Sequence, residues 1–184
     1  MGYRRLFIWV EGLDDVRFFN EVIKPIFDER YDWVEVRAYA KEGSDYVIKF
    51  LKSIQAMQAD YILVADINSA PCISKRKQKL HKIFKNIDKD RILVIVQEME
   101  SWYLAGLDEA SSRRLGLPTF KTTNNVTKEQ FNGLIPEKFD SRIDFMLEIL
   151  KHFSLRTAKQ KNDSLRYFIE KYQKEGENLW LTLM

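Results

Sequence analysis

Glu11, Asp66 and the pair Glu98 and Glu100 are the residues of this sequence best placed for chemistry. Each follows an apolar run of strand length. Leu6-Phe7-Ile8-Trp9-Val10 stops at Glu11-Gly12, and Tyr61-Ile62-Leu63-Val64-Ala65 stops at Asp66-Ile67-Asn68. Ile92-Leu93-Val94-Ile95-Val96 stops at Gln97-Glu98-Met99-Glu100. Parallel strands of an open sheet present their C-terminal ends at one ligand-facing edge. Neighbouring strands lie about 4.8 Å apart, so acids at two such ends can share an ion. Mg²⁺, or Mn²⁺ in its place, takes oxygen ligands: one or two carboxylates, water and substrate phosphate. The pattern therefore points to a divalent-metal site. Glu11, Asp66 and one of Glu98 or Glu100 are the acids that could share the ion. Glu100, preferred over Glu98, adds a second acid; on a strand the two would face the same side. The alternative is that each acid caps the helix after its strand with negative charge.

Elements that could position these residues alternate along the first hundred positions. Strands are expected at 5–11, 33–39, 61–66 and 91–97. Helical periodicity follows the first strand as far as Ile23, where Lys24-Pro25 should end it. A second helix opens at Gly43-Ser44-Asp45, with Ser44 or Asp45 as its cap. A third spans Ile73 to Ile87, with Leu80, Ile83, Phe84 and Ile87 on one face. This alternation predicts a mainly parallel, doubly wound sheet with helices on both faces. Beyond Glu100 the pattern is helical: a short helix over 101–107, a Thr- and Asn-rich loop over 117–125, and amphipathic segments at 140–153 and 164–172. Thr127-Lys128-Glu129-Gln130 has the form of a capping box. The expected organisation is an α/β domain over 1–107 and a helical extension over 108–184.

Val10-Glu11-Gly12-Leu13-Asp14-Asp15-Val16-Arg17-Phe18-Phe19 resembles the first motif of the TOPRIM domain. Asp66-Ile67-Asn68 is similar to that family's Asp-x-Asp motif. Gln97 to Leu104 resembles an acid-rich strand end running into a short helix in TOPRIM-like proteins near the OLD-type nucleases. The resemblance covers about residues 5–107. It implies a four-stranded, Rossmann-like sheet and a divalent metal held by the Glu and the acidic pair, acting on a phosphodiester of DNA or RNA. It also implies, by analogy with OLD proteins, a separately encoded ATPase as partner. Asn68 departs from the pattern. An amide oxygen ligates Mg²⁺ without bringing charge, which puts a full two-metal site in doubt. Two functions remain open on this reading: a metal-dependent nuclease, and a TOPRIM-like module that binds nucleic acid or protein without cutting. A phosphatase on a similar sheet normally wants an Asp two residues after its nucleophilic Asp, and Asn68 stands there.

Other residues have plainer readings. Lys75, Arg76, Lys77 and Lys79, with Lys82 and Lys85, either contact phosphates or form a solvated helix face. Arg156, Lys159 and Lys161 offer a second phosphate contact. Asp15 belongs to a helix first turn where acids are favoured anyway, and Gly12 is read as required by the turn. Trp102 reads as core. His81, His152 and Cys72 lack partners at ligand or triad spacing. The 184 residues carry 30 Lys and Arg against 27 Asp and Glu, a net charge of +3 that permits nucleic-acid binding without demanding it. One cysteine excludes a disulfide framework. No apolar run approaches the ~20 residues of a membrane-spanning helix, and the N-terminus reads directly into a strand. A soluble, cytoplasmic protein is the expectation.

Overall fold

The structure, a computed structural model, describes residues 3–85 and 87–181, with side chains through Tyr172. The chain divides into two compact units, Met1–Ile95 and Val96–Met184.

The first unit is built on four strands: β1 (Arg5–Val10), β2 (Trp33–Ala38), β3 (Asp60–Asp66) and β4 (Ile92–Ile95). They pair in the order β2-β1-β3-β4, and every pairing is parallel. Strands β1 and β3 are therefore neighbours, as a shared edge requires. Their apolar runs are buried on both sides, the signature of a parallel sheet covered by helices. Phe7, Trp9, Leu63, Ala65 and Val94 pack with Val47, Leu51 and Ile54 of α3 (Ser44–Ala56) and Leu80 of α4 (Ile73–Ile83). Leu6, Ile8, Val10, Ile62 and Val64 alternate to the opposite face. The first helical segment covers that face with fully buried Phe18, Phe19, Ile23 and Phe27.

That first segment corrects the expectation of a stop at Lys24-Pro25. Helix α1 (Leu13–Phe18) passes through a wide π turn, Phe19–Ile23, into α2 (Lys24–Asp28), and Pro25 stands in the first turn of α2. The Lys24 N–H reaches back to the Phe19 carbonyl. A wide turn re-routes the backbone bonds that a proline disrupts, so the helix bends its pattern and continues. Two smaller corrections concern α3 and α4. Gly43, not Ser44 or Asp45, is the N-cap of α3, and no side chain caps it. Helix α4 ends at Ile83, which is exposed, while Phe84 and Ile87 turn into the core.

The second unit is helical: α5 (Met99–Ala105), α6 (Glu109–Leu115), α7 (Lys128–Gly133), α8 (Arg142–Lys151), α9 (Leu155–Lys161) and α10 (Asp163–Leu181). Helices α6 and α9 have no counterpart among the sequence expectations. Every residue of α5 is buried. Its Trp102 packs against Phe168 and its Tyr103 against Phe131, which in turn meets Phe145. The capping box at Thr127 is present, with Thr127 and Gln130 exchanging backbone bonds. Asp108, Ser141 and Ser154 cap α6, α8 and α9. Gly106 follows α5 where a side chain has no room: a Cβ there would lie 2.2 Å from the Phe153 ring. Among the described residues no helix is long and apolar enough to cross a membrane.

Candidate functional site

The C-terminal ends of β1 and β3 carry the acidic centre of the first unit. Trp9 of β1 pairs with Leu63 of β3. Extending that register brings Glu11 level with Ala65, one residue short of Asp66. Glu11 is thus in phase with Trp9, on the α3 and α4 side. Asp66 is in phase with Ile62 and Val64, on the other.

Glu11 is engaged by a basic partner. The Nη2 of Arg76, from the first turns of α4, donates to Glu11 Oε1 at 2.7 Å. The Nε of the same guanidinium donates to the backbone carbonyl of Asp66, also at 2.7 Å. Arg76 therefore ties the ends of β1 and β3 with two donors of one rigid fork. Arg76, Leu80 and Phe84 are four residues apart and all buried, so helical periodicity turns Arg76 inward. The sequence grouped Arg76 with Lys75, Lys77 and Lys79 as a surface phosphate contact. Lys75 and Lys79 are exposed and Lys77 is half-buried, whereas Arg76 faces the sheet.

Tyr39, one residue past β2, completes the cluster. Its hydroxyl lies 3.2 Å from the Val64 carbonyl and 3.4 Å from Glu11 Oε1. One proton serves one acceptor at a time. Burial pushes the phenol pKa up, and the charges of Glu11, Asp15 and Asp66 push the same way, against Arg76. Tyr39 is therefore a neutral donor and not a base. Sequence reasoning missed it; the signal available was an aromatic with a polar tip at the C-terminal end of a strand.

Asp15 is buried, and its Oδ2 accepts from the Gly12 N–H at 2.8 Å, which fixes the turn into α1. Gly12 itself has extended backbone, and a Cβ there would meet open space. The turn does not require glycine, contrary to the sequence reading. Asn68 is exposed and has a left-handed backbone, φ 48°, in a turn closed by the Ala70 N–H and the Ile67 carbonyl. Asn and Asp are among the few side chains that tolerate this region.

Glu98 and Glu100 belong to the second unit and have their own partners in it. Gln97, at φ 67°, ends the strand direction. Glu98 follows as the N-cap of α5, and its side chain accepts from the Lys128 N–H at the start of α7. Glu100 lies in the first turn of α5, buried, 2.6 Å from Arg142 Nη2 of α8. They are not two residues of one strand, so the argument that they face the same side does not hold. Trp102 is core, its indole N–H donating to Ser164 Oγ. Lys161 is partly buried and donates to the Leu107 carbonyl; burial lowers its pKa. Cys72 is exposed, and its backbone forms the N-cap of α4. His81 is exposed, with Nδ1 2.8 Å from the Ile87 carbonyl.

These positions test the metal reading. Among the described residues no three His, Cys, Asp or Glu side chains are grouped to hold an ion. A dication at Glu11 would meet a buried guanidinium already bonded to the same carboxylate. As arranged, the Glu11 carboxylate is taken by Arg76, and a divalent ion there would have to displace that pair.

What the geometry defines is an α/β unit, its four parallel strands ending at an acidic edge, and a helical unit. No family model and no curated protein matches the sequence. Solved structures do. The C-terminal region of the Burkholderia pseudomallei OLD protein has a similar fold, with a TM-score of 0.52 at 14% identity, over 92% of this chain and 99% of that one. The C-terminal region of the Xanthomonas campestris pv. campestris OLD protein matches with a TM-score of 0.44 at 15% identity, over 95% of this chain and 100% of that one. At such identities the likeness is one of fold.

Proposed function

We propose that this chain is a TOPRIM-like module that binds nucleic acid without cutting it. One observation carries the reading: α4 divides its basic residues between two tasks. Arg76 faces inward and holds Glu11. Lys75, Lys79 and Lys82 are exposed at positions i, i+4 and i+7, one stripe of the same helix. A stripe of lysines spaced along a helix suits a phosphate backbone, which needs charge and no base reading. The separately encoded ATPase implied by the resemblance would supply any nucleotide-driven step.

Fluorescence anisotropy with a labelled duplex and a labelled single strand, in EDTA, tests this reading. Binding should weaken steadily with salt. Changing Lys75, Lys79 and Lys82 to Glu should abolish most of it, while the sheet stays folded by circular dichroism. Absence of binding in the unchanged protein would overturn the proposal.

A second reading, a Mg²⁺- or Mn²⁺-dependent nuclease, has one observation in its favour. Glu11 and Asp66 leave adjacent parallel strands at one edge. Nicking of supercoiled plasmid by the unchanged protein, lost in Glu11→Gln, would establish it over the first.

A further inference from the structure

We propose that Arg76 is the resident cation of the acidic edge, standing where a divalent ion would bind Glu11, and that the edge accepts such an ion only once Arg76 is removed. The inference rests on the reading of a module that does not cut.

Three features support it. The guanidinium is placed by two bonds of 2.7 Å, one to the carboxylate after β1 and one to the carbonyl ending β3. A bound ion bridges chain ends in the same way. The Arg76 side chain is 10% exposed and is set on the buried face of α4. Glu11, Asp15 and Asp66 all bear electrostatically on the Tyr39 hydroxyl, and Arg76 opposes them. These carboxylates need positive charge nearby, and the chain supplies it.

The consequence is specific. Loss of the guanidinium would leave carboxylates at a strand edge with a cation-sized space beside Glu11. Hard dications favour such oxygen-rich sites. Mn²⁺ binding, followed by calorimetry and by the spin signal of free Mn²⁺ without nucleic acid, tests the proposal. The unchanged protein should show no Mn²⁺ binding that Glu11→Gln removes. Arg76→Ala should bind Mn²⁺ at least about tenfold more tightly, because a fixed positive charge has gone from contact distance. Adding Glu11→Gln to Arg76→Ala should abolish the gain.

Arg76→Lys and Arg76→Gln keep the test decisive if Arg76→Ala does not fold. The lysine retains charge and should still exclude Mn²⁺; the glutamine retains a donor without charge and should admit it. Glu11-dependent Mn²⁺ binding by the unchanged protein would overturn the proposal. So would a folded Arg76→Ala, or Arg76→Gln, that gains none. Nucleic-acid binding is read separately in EDTA. Failure there removes the proposed function and leaves this result standing.

Discussion

Glu11→Leu should destabilise the sheet unit more than Arg76→Met, although each change breaks the same ion pair. The reason lies in what each leaves behind. The Arg76 side chain is 10% exposed and that of Glu11 is 25% exposed. Removing Glu11 strands a nearly dry guanidinium, and breaking a buried pair from that side costs about 3–5 kcal/mol. Removing Arg76 leaves a carboxylate that water can reach and that Tyr39 still faces. Methionine also keeps much of the arginine stem against the core. That cost should be nearer 1–3 kcal/mol, the range for one unmet polar group. The double variant should cost less than the two singles together, with a coupling of about 1–3 kcal/mol. Urea unfolding of the four proteins by circular dichroism gives the values. Exchange of the β1 and β3 amides assigns the loss to the sheet. Equal costs, or costs that add without coupling, would refute the claim that this pair fastens β1 to β3.

Three further outcomes follow from single positions. Gly12→Ala should lie within about 0.5 kcal/mol of the unchanged protein, whereas Gly106→Ala, which drives a methyl into the Phe153 ring, should cost about 1–3 kcal/mol in thermal or urea unfolding. Asn68→Gly should be tolerated and Asn68→Val should cost about 1–2 kcal/mol, because the left-handed turn penalises a β-branched side chain. Tyr31 bonds to Asp60, and burial, with help from that acid, raises its pKa from 10.0 to about 12. Since the folded pKa is the higher one, the stabilisation is complete below pH 10 and is lost as pH rises from there towards about 12. Alkaline unfolding should therefore be shallower in Tyr31→Phe, with near-ultraviolet absorbance reporting the phenolate.

The sheet was legible because burial on two faces leaves a strong mark. Strands β1, β3 and β4 carry continuous apolar runs, and each stops within a residue or two of the expected limit. Local capping was legible where a side chain does the work, as at Thr127. The passage through Pro25 was not, because a π turn has no residue signature of its own. Nor was Gly12, where Glu-Gly after a strand invites a conformational explanation that the extended backbone does not need. The larger miss was Arg76. Among Lys75, Lys77 and Lys79 it reads as one more surface cation. Only the phase it shares with Leu80 and Phe84 turns it inward, and that phase was used for the apolar residues alone.

Arg76 and Asn68 answer to the same constraint. The carboxylates of Glu11, Asp15 and Asp66 all act on the Tyr39 hydroxyl, and Arg76 opposes them. An aspartate at position 68 would add a further negative charge two residues past the end of β3. The turn there nevertheless demands a residue that tolerates positive φ, which leaves Gly, Asn and Asp as the economical choices. Asparagine keeps the conformation and omits the charge. In a protein that relied on a dication, the aspartate would be the favourable choice, since the ion rewards every carboxylate it meets. With an internal monocation the balance reverses. Asn68→Asp should thus leave Mn²⁺ binding unchanged while Arg76 is present, and should strengthen it in an Arg76→Ala background. An aspartate that recruits Mn²⁺ with Arg76 in place would show that the guanidinium yields to metal, and that the acidic edge is a metal site after all.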